Sequence, residues 1–202
     1  MLKQINTQEP VWEIATLFPI QGDWTIDDYL AIDARTNHLI EYSKGRIEIL
    51  KMPSIYHQTI AKILYRLLDA YIFGRNLGEV FFAPTKVRLW EGKIREPDVF
   101  FVSHENYAKR TKQWFEAIDL AIEIVSPDDP SRDLHDKRLE YEQAGIAEYW
   151  IVDPRTSEVT VLALVDKQYT HHGTFGIEDV ATSILLPDFS VQVSKLFEHR
   201  SR

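Results

Sequence analysis

LAIEIVSPDDPSRDLHDKRLEYEQAGIAEYWIVDP, residues 120–154, decides the reading of this chain. Leu120–Val125 is apolar on both faces except at Glu123. A run of that kind marks a strand covered on both sides, at the centre of a sheet. Asp129-Pro130 then starts a helix, with Pro at the first helical position, and Gly145 stops it after Ala144. Tyr149–Val152 is a second apolar strand. Strand, helix, strand within 35 residues is the unit of an α/β (α+β) fold built on a mixed sheet.

Outward from this block the pattern continues. Thr25 is placed to cap a short helix over Ile26–Ala34. Leu39–Tyr42 and Arg46–Leu50 read as a hairpin turning at Lys44-Gly45. Ser54 caps a helix whose His57, Ile60, Ala61, Leu64, Leu67, Leu68 and Tyr71 share a face, with Gly74 suited to its C-terminal stop. Val80–Ala83 and Thr85–Trp90 read as strands, Glu91–Lys93 as a turn, Val99–Val102 as a strand, and 104–117 as a loop with a helical piece. Glu158–Leu164 and Gln168–His171 extend the sheet. A last short strand and a helix near Val193–Phe197 close the chain. No repeat or linker interrupts it, so the expectation is an arm over 1–22 and one domain over 23–202.

The 202 residues are 45% hydrophobic and 27% charged, which is globular composition. No cysteine is present, so disulfides, thiolate metal sites and cysteine nucleophiles are excluded, and a reducing, cytoplasmic setting fits. No stretch approaches the ~20 apolar residues of a membrane span. The net charge of −8 argues against bulk nucleic-acid binding. Residues 86–112, however, carry seven bases (Lys86, Arg88, Lys93, Arg95, Lys109, Arg110, Lys112) against four acids. Any polyanion-binding face is expected there; the alternative is a solvated hairpin edge.

Three side chains stand out against this frame. Strand alternation puts Glu123 with Ala121 and Val125 on one face. A buried carboxylate costs several kcal/mol unless a cation, a metal or a proton meets it; a bond to backbone or to a core Arg would also serve. Asp98 follows Pro97 at the mouth of a neighbouring strand and can converge on Glu123 if the strands pair, though it could equally be a turn residue. A hard divalent ion resolves the repulsion of two such acids. Lys137 lies on one helical face with Leu134, Tyr141 and Ala144, steps of three and four that face inward; the alternative is a surface pair with Asp133.

REPDVFFV (residues 95–102) followed by the 120–154 block resembles the Uma-type family of bacterial restriction endonucleases, a branch of the PD-(D/E)xK nuclease superfamily. LIEYSKGRIEIL is similar to the family's first hairpin, with Glu41 and Gly45. MPSIYHQTIAKIL is similar to its Pro, Ser and His segment, with Pro53, Ser54 and His57. The likeness spans about residues 20–198. It implies a restriction-endonuclease-like mixed β-sheet flanked by helices, and a DNA endonuclease using Mg²⁺ or Mn²⁺. Asp98, Glu123 and the Ile124 carbonyl would hold the ion. Lys137 would orient the water or stabilise charge on phosphorus. Tyr141 would support Lys137 by packing, and Glu41 and His57 would line the site. The superfamily lysine, two residues after the acid, falls at Val125, so Lys137 is its expected substitute.

By analogy with such nucleases a homodimer is expected, with Phe81–Phe82, Phe100–Phe101, Trp90 and Trp114 as anchors or as core. Two other readings stay open: a catalytically inactive nuclease-fold module that binds nucleic acid or a protein, and a metal-free scaffold. A serine hydrolase is disfavoured because Ser126 lacks the glycines of a nucleophile elbow. His171-His172 lacks the spacing of a helical metal site.

Overall fold

The structure is a computed structural model and describes residues 18–198. Most of the expected arm, residues 1–17, lies outside that range. At its end, the Gln21 amide exchanges two hydrogen bonds of 2.9 Å with the Ile47 peptide.

Helix α1 (Ile26–Asp33) starts as expected at Thr25, which forms a reciprocal capping box with Asp28. Strands β1 (Leu39–Ser43) and β2 (Arg46–Leu50) form the hairpin, turning on Lys44 and Gly45, both with positive φ. Gly45 is required twice over, because a Cβ there would lie 2.1 Å from the Gly22 carbonyl oxygen. Helix α2 (Ile55–Arg75) is capped by Ser54. It runs through Gly74, and the left-handed residue that ends it is Asn76, the other residue type that tolerates this conformation.

β3 (Gly78–Phe82), β4 (Val87–Trp90), β5 (Lys93–Arg95) and β6 (Val99–Ser103) follow, then the short helix α3 (His104–Tyr107) and β7 (Leu120–Ile124). The sequence reading missed β5: three residues between charged neighbours carry no alternation signal. After β7 the helical segment begins at Pro130, as expected, continues through a π-turn (Arg132–Asp136) into α4 (Lys137–Ala144) and ends on Gly145 at φ 78°. β8 (Glu148–Asp153), β9 (Glu158–Val165) and β10 (Gln168–Phe175) complete the main sheet. β11 (Val180–Thr182) pairs with β12 (Ser190–Gln192), and α5 (Ser194–Phe197) follows.

The main sheet has the order β10-β9-β8-β7-β6-β3, with β7 and β8 parallel and the other neighbours antiparallel; a second sheet has the order β2-β1-β5-β4. This is the mixed, α+β sheet expected. β7 is central and buried along its whole length. One face (Leu120, Ile122, Ile124) packs with Ile60, Leu64, Leu68 and Ile72 of α2. The other (Ala121, and Val125 just beyond) packs with Tyr141 of α4, Tyr149 and Phe100. Each large aliphatic side chain buried this way contributes ~1.5–3 kcal/mol, so both helices are held firmly against the strand that carries Glu123. Phe81, Phe100 and Phe115 stack into this core, whereas Phe82 is half exposed.

Candidate active site

The site grows from the β6–β7 ladder. Val99 pairs with Ile122 and Phe100 with Ala121; one further step sets Asp98 opposite Glu123. The Ile124 amide donates to Asp98 Oδ2 at 2.8 Å, which pins the acid to the end of β7. His57, on the first turn of α2, reaches the same point: its Nε2 lies 3.2 Å from both Asp98 Oδ2 and the Ile124 carbonyl oxygen. Both neighbours are acceptors, so Nε2 is the nitrogen that carries the proton. Burial pushes the imidazole pKa down, but Asp98, Glu123 and the Ile124 carbonyl outweigh it and raise it. His57 Nδ1 is buried with no hydrogen-bond partner.

Glu123 is 1% exposed. Lys137 Nζ lies 2.8 Å from its Oε2, and the Tyr141 hydroxyl donates to Oε1. Tyr141 therefore acts on the acid directly, through a hydrogen bond, instead of supporting the lysine by packing. Burial pushes the Glu123 pKa up; Lys137 opposes this, and the charges of Asp98 and Asp133 add to it, leaving the acid at about 8. Burial alone would lower Lys137, yet Glu123, Asp133, Glu41 and Asp98 hold it well above the usual lysine range. The amine stays an ammonium.

Asp133 entered the sequence reading only as a possible surface partner of Lys137. It is 4% exposed, and its Oδ1 lies 3.0 Å from Lys137 Nζ. Asp133, four residues before Lys137, shares its inward face; the segment between them is a π-turn, with the Lys137 amide donating to the Arg132 carbonyl. The Tyr149 hydroxyl donates to the Asp133 carbonyl at 2.9 Å. The (i, i+4) spacing of Asp133 and Lys137 was the available signal.

Glu41 is also buried, but in a separate network. Its carboxylate takes Arg95 and Arg132, and the Glu96 amide donates to it at 3.1 Å. Glu48 and Glu140 complete the set, Glu140 pairing with Arg95 and with Lys93. Burial pushes the Glu41 pKa up, but Arg95, Lys137 and Arg132 overcome that and bring it down to about 2. This network ties the small sheet to the start of the helix that carries Lys137. In the basic segment Lys86, Arg88, Lys93, Arg95 and Lys109 pair with carboxylates of the chain; Lys109, Arg110 and Lys112 lie exposed at the surface. Val125 is buried in the core, as its place in the strand dictates.

The residues suit a divalent ion. The Lys137 ammonium touches Glu123 and Asp133, while Asp98 stands opposite Glu123 with His57 beside it. Both contacts of Asp98 fall on Oδ2, which leaves Oδ1 for a ligand. Each oxygen of Glu123 has met one donor and keeps a second lone pair. Among the described residues no three His, Cys, Asp or Glu side chains form a ready cage; Mg²⁺ ordinarily takes one or two carboxylates and keeps several waters. No described helix is long and apolar enough to cross a membrane.

The profile of the Uma2 family, described as "putative restriction endonuclease", matches residues 26–194. None of the curated proteins matches the chain. Among solved structures, the crystal structure of "a putative nuclease belonging to DUF820" from Anabaena variabilis is similar, with a TM-score of 0.71 and 19% identity. The alignment covers 89% of this chain and 98% of that one. At that identity the likeness is one of fold, and it agrees with the nuclease-type architecture expected from the sequence.

Proposed function

The chain belongs to the Uma2 family, whose profile spans most of its length, and on that premise we propose that it is an endonuclease hydrolysing DNA phosphodiester bonds with Mg²⁺ or Mn²⁺. The observation that carries the proposal is the buried Glu123–Lys137 pair at 2.8 Å, with Asp98 set opposite Glu123 across the β6–β7 ladder. Asp98, Glu123 and the Ile124 carbonyl would hold the ion. When bound, the ion would supply electrophilic activation of the phosphate and a more acidic water.

The rest of the chemistry belongs to the chain. Lys137 keeps its proton and offers a fixed positive charge to the oxygens that gain charge as phosphorus becomes pentacovalent. Tyr141 and Lys137 hold Glu123 in one rotamer. His57 fixes Asp98 and the Ile124 carbonyl. The two helices that cover β7 exclude bulk water from Glu123 and so strengthen each of these interactions. The test is cleavage of supercoiled plasmid with Mg²⁺ or Mn²⁺. The wild type is expected to cut; Asp98→Ala and Glu123→Ala are expected not to. Variants that cut as well as the parent would refute the assignment.

We further propose that two chains act together, one on each DNA strand. Sedimentation at dilute concentration should read twice the mass of the chain; a single-chain species contradicts this. One observation favours a different reading, that of a nuclease-fold module that binds without cutting: both oxygens of Glu123 already meet donors of the chain, and Lys93 and Arg95 are engaged by its own carboxylates. That reading predicts binding that survives Glu123→Gln and needs no metal.

A further inference from the structure

Lys137 does not simply lie near Glu123. Its ammonium sits between two carboxylates of different elements, 2.8 Å from Glu123 Oε2 on β7 and 3.0 Å from Asp133 Oδ1 on the π-turn. All three side chains are at most 8% exposed. Two buried acids bridged by one compact cation is the arrangement in which a metal ion would otherwise be found, and a lysine ammonium is a compact point charge. From this geometry we propose that Lys137 is a built-in second cation: it fills the seat between Glu123 and Asp133, so the chain binds one divalent ion where a bare acidic pocket would bind two. Asp133 is then a positioning residue that keeps the ammonium in the seat.

The fold supports this assignment in two ways. Asp133 lies within the π-turn, and the Tyr149 hydroxyl donates to its carbonyl at 2.9 Å. The Ser126 amide approaches Asp133 Oδ2 at 3.4 Å, so the acid is tied to the loop that leaves β7. A divalent ion in the seat would draw the oxygens in to about 2.0–2.1 Å for Mg²⁺, a closure the intervening ammonium prevents. The proposal rests on the metal-dependent reading above, and the experiment separates the two.

Mn²⁺ is titrated into the purified full chain, and the free ion is counted by its electron paramagnetic resonance signal. The wild type is expected to bind one ion per chain. Lys137→Ala, which empties the seat, is expected to bind one more ion than the wild type, and Lys137→Ala/Asp133→Ala to return to the wild-type count. Two ions in the wild type, or no gain in Lys137→Ala, overturn the proposal. A wild type that binds none defeats the metal-dependent reading instead; the gain of one in the variant still decides the seat. If Lys137→Ala is unfolded without metal, Lys137→Ser is measured beside it by thermal melting with Mn²⁺. Recovery of a cooperative melt at saturating Mn²⁺ supports the seat. Variants that stay unfolded at saturating Mn²⁺ contradict it, because an ion in that place would restore the missing charge.

Discussion

Two glutamates on neighbouring parallel strands are equally hidden from water and differently used. Glu148 opens β8 and pairs in register with Leu120; Glu123 lies three residues further along β7. Glu148 takes four donors: the Trp150 indole at 2.6 Å, the Ser183 hydroxyl at 2.7 Å, and the amides of Ile184 and Leu185 at 2.7 and 2.9 Å. All four are neutral, and together they staple the 183–185 loop to the sheet. Glu123 instead meets an ammonium, a phenol and two further acids. A buried acid surrounded by neutral donors fixes structure. A buried acid set among charges of both signs is placed to hold a reactive group or an ion.

The sharpest way to break that contrast is to remove each acid. Glu123→Ala is expected to lower DNA cleavage by at least ~10³-fold, read as cleavage per folded molecule. Glu148→Ala should leave cleavage per folded molecule near the parent value but cost about 2–4 kcal/mol in urea unfolding, since it orphans four donors. Equal loss of activity in both would erase the distinction. Lys137→Met keeps the volume and removes the charge; cleavage should fall ~10²-fold.

A smaller effect comes from pH. Glu41 is lowered in the folded state to about 2 from an ordinary value of 4.5, so its contribution is present above 4.5 and is lost as pH falls towards 2. Glu96 runs the other way. Burial raises it to about 7 against the pull of Lys86, so its contribution is whole below 4.5 and is lost as pH rises through 7. Thermal melts of Glu41→Gln and Glu96→Gln against pH should each flatten the limb its acid controls. The smallest effect is expected at the surface: Lys109→Ala breaks an exposed pair with Glu105 and should change stability by less than ~1 kcal/mol in the same unfolding assay.

Much of this was legible in the residues. Glu123 announced itself as the one charge in an apolar run, and the inward face of the following helix announced Lys137 and Tyr141. Pro97-Asp98 lay one register step from the acid it faces. What escaped was of another kind. Asp133 belongs to the site because it shares the inner face with Lys137 four residues on, and it escaped because such an (i, i+4) pair reads equally well as a surface one. Arg95 and Arg132 meet Glu41 across 54 and 91 residues of chain, and no local pattern reports such a pairing. Lys93 and Arg95 of the basic segment are hidden from a local reading for the same reason: their partners, Glu41, Glu48 and Glu140, come from other elements.

The most direct measurement is an anomalous difference map from crystals soaked in Mn²⁺. The account predicts one peak, in contact with Asp98, Glu123 and the Ile124 carbonyl, with the Lys137 ammonium still between Glu123 and Asp133. Crystals that diffract well and show no peak there, or a peak only at the molecular surface, would contradict it.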